Sequence, residues 1–174
     1  LYIYMTDGCN LACKHCWISP DYKLNKETGG HVSAKKLLES CAQAKRLGLK
    51  HVKLTGGEPL LHPDFCELVY GIKALGLNLW MESNMTLLTP ENTKAILDTM
   101  TFFSTSIDGA TAESHDGFRG VANSFDTTCQ AVKLLSPHIN IQVIMSVHAG
   151  NVHEVEEVMK LSHDLGAGSI KFNL

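Results

Sequence analysis

The sequence predicts an α/β fold on a parallel sheet. Hydrophobic residues switch repeatedly between a two-residue and a 3.6-residue period, so strand-like and helix-like stretches alternate along the chain. The strand-like stretches fall at about 1–6, 50–55, 77–83, 101–107, 139–147 and 169–174, with interiors that are largely apolar, as in parallel strands buried on both faces. Strands alternating with helices imply parallel pairing through right-handed crossovers.

Each intervening stretch carries its own helix signals. Ser33 can cap a helix bearing Ala34, Leu37, Leu38, Cys41 and Ala44, stopped by Gly48. Phe65, Leu68, Val69, Ile72 and Leu75 mark a second, stopped by Gly76. Thr89-Pro90 reads as N-cap and first residue of a third, continuing through Ile96, Leu97 and Met100. A fourth begins near Ser124 and carries Phe125, Cys129, Val132 and Leu135 before Pro137. Asn151 and Glu154 have capping-box spacing and open a fifth with Val155, Met159 and Leu165, stopped by Gly166. Five βα units and a sixth strand suit either a doubly wound sheet or part of a β/α barrel. In both, ligands bind beyond the carboxyl ends of the strands, so the loops after the strands carry the chemistry.

Composition narrows the classes. The 174 residues are 44% hydrophobic and 19% charged with net charge −3. That apolar content excludes intrinsic disorder, and the charge leaves no basic footprint for nucleic acid or a membrane surface. No apolar run approaches the roughly 18 residues of a membrane span, and the start lacks the basic flank of a signal peptide. A soluble, cytoplasmic chain forming one domain over 1–174 is expected. It opens and closes inside strand-like stretches, the pattern expected of a piece of a longer protein.

Three of the six cysteines, Cys41, Cys66 and Cys129, sit in helix patterns and read as small hydrophobes. The other three cluster in the loop after the first strand, Cys9-x3-Cys13-x2-Cys16. Thiolates in such a loop are soft ligands for an iron–sulfur cluster, zinc or Cu(I). Zinc would require His15 as a fourth ligand, whereas a 4Fe–4S cube held by three cysteines leaves one iron open to a small molecule. The cluster is the favoured reading. After the second strand, Gly56-Gly57-Glu58-Pro59 combines two glycines that let backbone approach a ligand with a carboxylate suited to an ammonium group. The nine histidines show no ligand spacing and read mostly as surface or loop residues.

Together, Cys9-x3-Cys13-x2-Cys16 and Gly56-Gly57-Glu58-Pro59 resemble the radical S-adenosylmethionine (SAM) superfamily. Thr105-Ser106-Ile107-Asp108-Gly109 and His115-Asp116-Gly117-Phe118-Arg119-Gly120 resemble the subgroup with a SPASM or twitch auxiliary-cluster extension, which includes peptide maturases, sulfatase maturases and haem-modifying enzymes. The resemblance implies a partial (β/α)6 TIM-like barrel of parallel strands with a 4Fe–4S cluster and SAM at its C-terminal face. It implies Cys9, Cys13 and Cys16 as iron ligands. Gly56, Gly57, Glu58 and Pro59 would hold the methionyl ammonium. Ser106 would meet the ribose or carboxylate, Arg119 the carboxylate, and Trp17 the adenine. Ser83-Asn84-Met85 stands where the family often has Thr-Asn-Gly, which makes Asn84 a further contact and puts Met85 in a glycine's place. The bland readings are a turn for Asp108-Gly109, a surface ion pair for Arg119, an inward-facing strand residue for Ser106 and packing on the first helix for Trp17.

The implied reaction is reductive cleavage of SAM to a 5′-deoxyadenosyl radical, which takes hydrogen from a substrate. The cofactors supply the difficult chemistry, and no acid–base constellation is needed. A one-electron donor such as flavodoxin or ferredoxin is the implied partner, and the subgroup points to a peptide or protein substrate. Haem or small-molecule modification is the rival enzymatic reading, and a non-catalytic cluster or zinc module the non-enzymatic one. The polar stretch 19–30 carries no functional assignment.

Overall fold

The computed structural model describes residues 1–18, 21, 22 and 30–174; most of the 19–30 stretch lies outside them. Six strands form one sheet: β1 (Tyr2–Tyr4), β4 (His51–Thr55), β5 (Asn78–Glu82), β6 (Met100–Ser106), β7 (Ile141–Ser146) and β8 (Ser169–Asn173). Every neighbouring pair is parallel. The sheet is open, with β1 at one edge and β8 at the other. A short parallel pair, β2 (Gly8–Cys9) and β3 (Asp21–Tyr22), leaves the end of β1.

Between the sheet strands lie α1 (Ala34–Arg46), α2 (Phe65–Ala74), α3 (Pro90–Thr99), α4 (Ala112–Arg119), α5 (Ser124–Leu135) and α6 (Val155–Asp164). The apolar stripes of α1, α2, α3, α5 and α6 cover one face of the sheet. Val52 and Leu54 of β4, Leu79 and Met81 of β5 and Phe103 of β6 are buried there with Cys41, Leu68, Ile72, Ile96, Val132 and Leu135 from the helices. The intervening residues Lys53, Thr55, Trp80, Glu82, Phe102 and Ser104 point the other way, onto a concave face. Only one face is helix-covered, so β4 and β5 alternate in burial. The wholly apolar interior expected of a doubly covered sheet is absent from β4 and β5.

Local signals behaved unequally. Thr89 forms the full capping box with Asn92, with Pro90 at the first helical position. Gly48, Gly76 and Gly166 end their helices in the left-handed region, at φ of 97°, 70° and 84°. Ser33 precedes α1 without a side-chain cap bond. Asn151 does not cap through its side chain either; it opens a 3-10 turn, Val152–Glu154, and its amide serves tertiary partners instead. Met100 belongs to β6 and not to the third helix.

α4 carries no apolar periodicity, which is why the hydrophobic pattern predicted five helices and not six. The residues it buries are His115 and Arg119. His62 is buried as well, so two of the nine histidines depart from the surface reading.

Candidate active site

The carboxyl ends of the strands open onto a cleft of about 350 Å³, within the range of small-molecule sites. Cys9, Cys13, Cys16, Gly56, Gly57, Glu58, Asn84, Ser106, Arg119 and Trp17 all line it. Pro59 stands one residue behind the lining, buried at the start of a 3-10 turn, Pro59–Leu61. Residues spread over more than a hundred positions thus meet at one rim.

The cysteine loop is held by backbone on two sides. Gly57 N donates to Thr6 O at 2.9 Å and Glu58 N to Gly8 O at 2.8 Å. That approach explains the glycine pair: Gly56 has φ 131°, and a Cβ on Gly57 would lie 1.9 Å from the Gly8 carbonyl oxygen. The close approach here is to the cysteine loop itself. On the other side, Ala12 N donates to Arg119 O and Lys14 N to Phe118 O, both at 3.0 Å. These are carbonyls of the last turn of α4, left without helical partners. Gly120, at φ 76°, permits the contact, since a Cβ there would lie 2.6 Å from Ala12 O.

Glu58 is 1% exposed. Its Oε1 accepts from Leu60 N at 3.0 Å and Ser83 Oγ at 2.7 Å, and its Oε2 accepts from Asn84 N at 2.8 Å. Burial nevertheless pushes its carboxyl above the usual carboxylate range, against the pull of those three donors. Burial, and next the Glu58 charge, pushes the Cys9 thiol up to about 12.

The Asn84 amide is hydrogen-bonded at both ends, its Nδ2 donating to Asn10 Oδ1 at 2.9 Å and its Oδ1 accepting from Thr86 N, which leaves one N–H of Nδ2 for a further acceptor. Met85 adopts the left-handed backbone that glycine favours, at φ 61°, at a cost of about 1–2 kcal/mol. It is fully buried, and Ser83 Oγ accepts its N–H at 2.9 Å.

Arg119 is 7% exposed and Asp108 wholly buried, so neither is a surface ion-pair partner or a plain turn residue. Arg119 Nη2 lies 2.5 Å from Asp108 Oδ2, and Arg119 Nη1 donates to Cys13 Sγ at 3.4 Å. Asp108 Oδ1 accepts from Ser146 N at 2.7 Å. Trp17 is 78% exposed and packs edge-on to Tyr4, not on α1.

Several cleft residues escaped the sequence reading. Ser104 Oγ is buried in the wall with no hydrogen-bond partner among the described residues. Lys53 pairs with Glu82 and lies over the Tyr2 ring, on the concave face. Lys171 brings a cation to the rim from β8. Strand parity could have found Ser104 and Glu82, which lie two residues before Ser106 and Asn84; Lys53 and Lys171 left no such signal.

The family model described as the radical SAM superfamily matches residues 3–162. The chain belongs to the radical SAM superfamily. It is 33% identical to the AdoMet-dependent heme synthase of Methanosarcina barkeri, over 94% of this chain and 46% of that protein. It is 30% identical to the antilisterial bacteriocin subtilosin biosynthesis protein AlbA of Bacillus subtilis, over 97% of this chain and 38% of that protein. The chain therefore spans less than half the length of these relatives. Streptococcus suis SuiB bound to S-adenosylmethionine shares the fold, with TM-score 0.84 at 17% identity, covering 98% of this chain and 39% of SuiB. The open parallel sheet is thus the partial barrel of radical SAM proteins.

Radical SAM enzymes use a 4Fe–4S cluster and SAM, and the residues present fit both. Among the described residues, no three His, Cys, Asp or Glu side chains converge where a single metal ion would sit. The three thiols instead line the wall of one cleft, which suits a cube whose irons each take a different thiolate. The unpartnered Ser104 hydroxyl and the buried Glu58 carboxylate give the same cleft polar groups for an organic cofactor.

Proposed function

We propose that this chain is the SAM-cleaving core of an enzyme that modifies side chains of a peptide or protein. The observation that carries the reading is the meeting of Cys9, Cys13 and Cys16 with Gly56, Gly57 and Glu58 in one cleft at the strand ends. Cys9, Cys13 and Cys16 would hold the cluster. Each thiol would give up a proton on binding iron, and the positive charge of the iron would offset the penalty that burial and Glu58 place on the Cys9 thiolate. Gly56, Gly57 and Glu58, backed by Pro59, would hold the methionyl ammonium; a buried carboxylate with a raised pKa gains most from a cation beside it. Ser106, Asn84 and Arg119 would meet ribose and carboxylate groups, and Trp17 would cover the adenine.

When bound, the two cofactors supply one-electron cleavage of SAM and the hydrogen-abstracting radical. The chain's own part is to fix geometry and exclude water. The concave face bearing Tyr2, Glu82 and Lys171 forms the remaining wall, where a substrate would lie. A cytoplasmic one-electron donor such as flavodoxin or ferredoxin completes the scheme. Among the described residues no helix is long and apolar enough to cross a membrane.

The peptide substrate is supported by AlbA, a bacteriocin biosynthesis protein, and by SuiB, whose structure with precursor peptide SuiA has TM-score 0.83 to this chain. The heme synthase relative supports haem modification as the second reading.

Anaerobic reconstitution should give about four iron and four sulfide per chain, with an absorption spectrum that changes when SAM is added. Cys13→Ala should reduce 5′-deoxyadenosine formation to background. Stoichiometric zinc after the same treatment would overturn the proposal. Mass spectrometry of a candidate precursor peptide and of an iron porphyrin, each turned over with SAM and dithionite, separates the two substrate readings.

A further inference from the structure

We infer that Arg119 tunes the cluster through Cys13, with Asp108 as its counterweight. This rests on Cys13 being a cluster ligand, as proposed above. Arg119 Nη1 donates to Cys13 Sγ at 3.4 Å, and its Nη2 stands 2.5 Å from Asp108 Oδ2. The guanidinium is thus shared between a thiol sulfur and a carboxylate. Its Nε has no hydrogen-bond partner among the described residues and is shut off from solvent.

The arrangement is held from both ends. Ala12 N and Lys14 N, on either side of Cys13, bond to the Arg119 and Phe118 carbonyls at 3.0 Å. Asp108 is 0% exposed, and its other oxygen accepts from Ser146 N. The backbones that carry Cys13 and Arg119 are therefore held side by side, and Asp108 holds the guanidinium between them and itself.

Charge placed in such a site is felt strongly, because little solvent screens it. One-electron reduction by an external donor adds one negative charge to the cluster. A cation hydrogen-bonded to a ligand sulfur favours that reduced state and raises the potential. Asp108 cancels part of the field. A clamp on the SAM carboxylate, by contrast, would act only when SAM is present. The two roles therefore separate in protein without SAM.

The experiment measures the cluster's midpoint potential by EPR in the reconstituted chain with SAM omitted, alongside iron content. Arg119→Met should move the potential to a more negative value, and Arg119→Lys should recover part of the shift by restoring charge without the fork. Asp108→Asn should move it the opposite way, by leaving the Arg119 charge unopposed. If Arg119→Met does not fold, the positive shift of Asp108→Asn carries the test. A fully loaded cluster whose potential ignores these substitutions overturns this inference alone. Wild-type chain that takes up no 4Fe–4S cluster overturns both it and the reading it rests on.

Discussion

At position 115 an imidazole sits 1% exposed beneath the cleft, its Nδ1 accepting from Asp108 N at 3.2 Å and its ring against Phe125. Burial first, and the Arg119 charge second, push its pKa down to about 4; Asp108 and Asp116 pull weakly the other way. The unfolded chain protonates this ring near its ordinary value of about 6.5, while the folded chain resists until about 4. The unfolded state therefore binds more protons between those values, so stability is whole above about 6.5 and falls as pH drops toward 4. At about 1.4 kcal/mol per unit the full contribution is about 3 kcal/mol. Denaturant unfolding at several pH values should show His115→Asn losing less stability than wild type between pH ~6.5 and ~4.5. Parallel slopes would show that His115 does not titrate on unfolding.

Among the elements, α4 does the most with the least apolar surface. Its last-turn carbonyls seat the cysteine loop, and the two side chains it buries are polar. The turn before α6 works similarly. Asn151 is 1% exposed; its Nδ2 donates to Asp108 O at 2.8 Å and Ser146 O at 2.9 Å, and its Oδ1 accepts from His148 N at 2.7 Å. It thereby ties the ends of β6 and β7 to the next loop. Glu154 ties the same turn to Ala110 N and Ser114 Oγ. Asn151→Ala strands two carbonyls and an amide and should cost about 2–4 kcal/mol, read by denaturant unfolding. A loss below about 0.5 kcal/mol would mean that water replaces all three bonds.

Across the whole molecule, the sheet has one packed face and one working face. Phe103 is fully buried under the helices, while its neighbour Phe102 lies half-buried on the concave side, 5.9 Å from the Trp80 ring. Phe103→Ala should cost about 3–5 kcal/mol and Phe102→Ala clearly less, because solvent already reaches the second site. Equal losses in chemical denaturation would mean that the concave face is as tightly packed as the convex one. The asymmetry leaves Glu82, Ser104 and Lys171 at the cleft, whereas the opposite face is apolar.

The order of βα units, the glycine stops and the cysteine loop were all legible in the chain, because each is written in local period or spacing. Thr89 and Asn92 succeeded as a capping box for the same reason: both partners lie within one turn. Asn151 had equivalent spacing and went elsewhere, since Asp108 and Ser146 lie near it only once the sheet has formed. α4 left no apolar rhythm because its buried face is His115 and Arg119, whose partners, Asp108 and Cys13, lie outside the helix. What the sequence by itself determined was therefore the succession of elements and the thiol and glycine motifs. Only the tertiary structure decided that one face of the sheet stays open, that Glu58 is buried among three donors and that Arg119 meets Cys13 across 106 positions. Charge pairing and burial depend on distance in space, and local spacing carries no record of it.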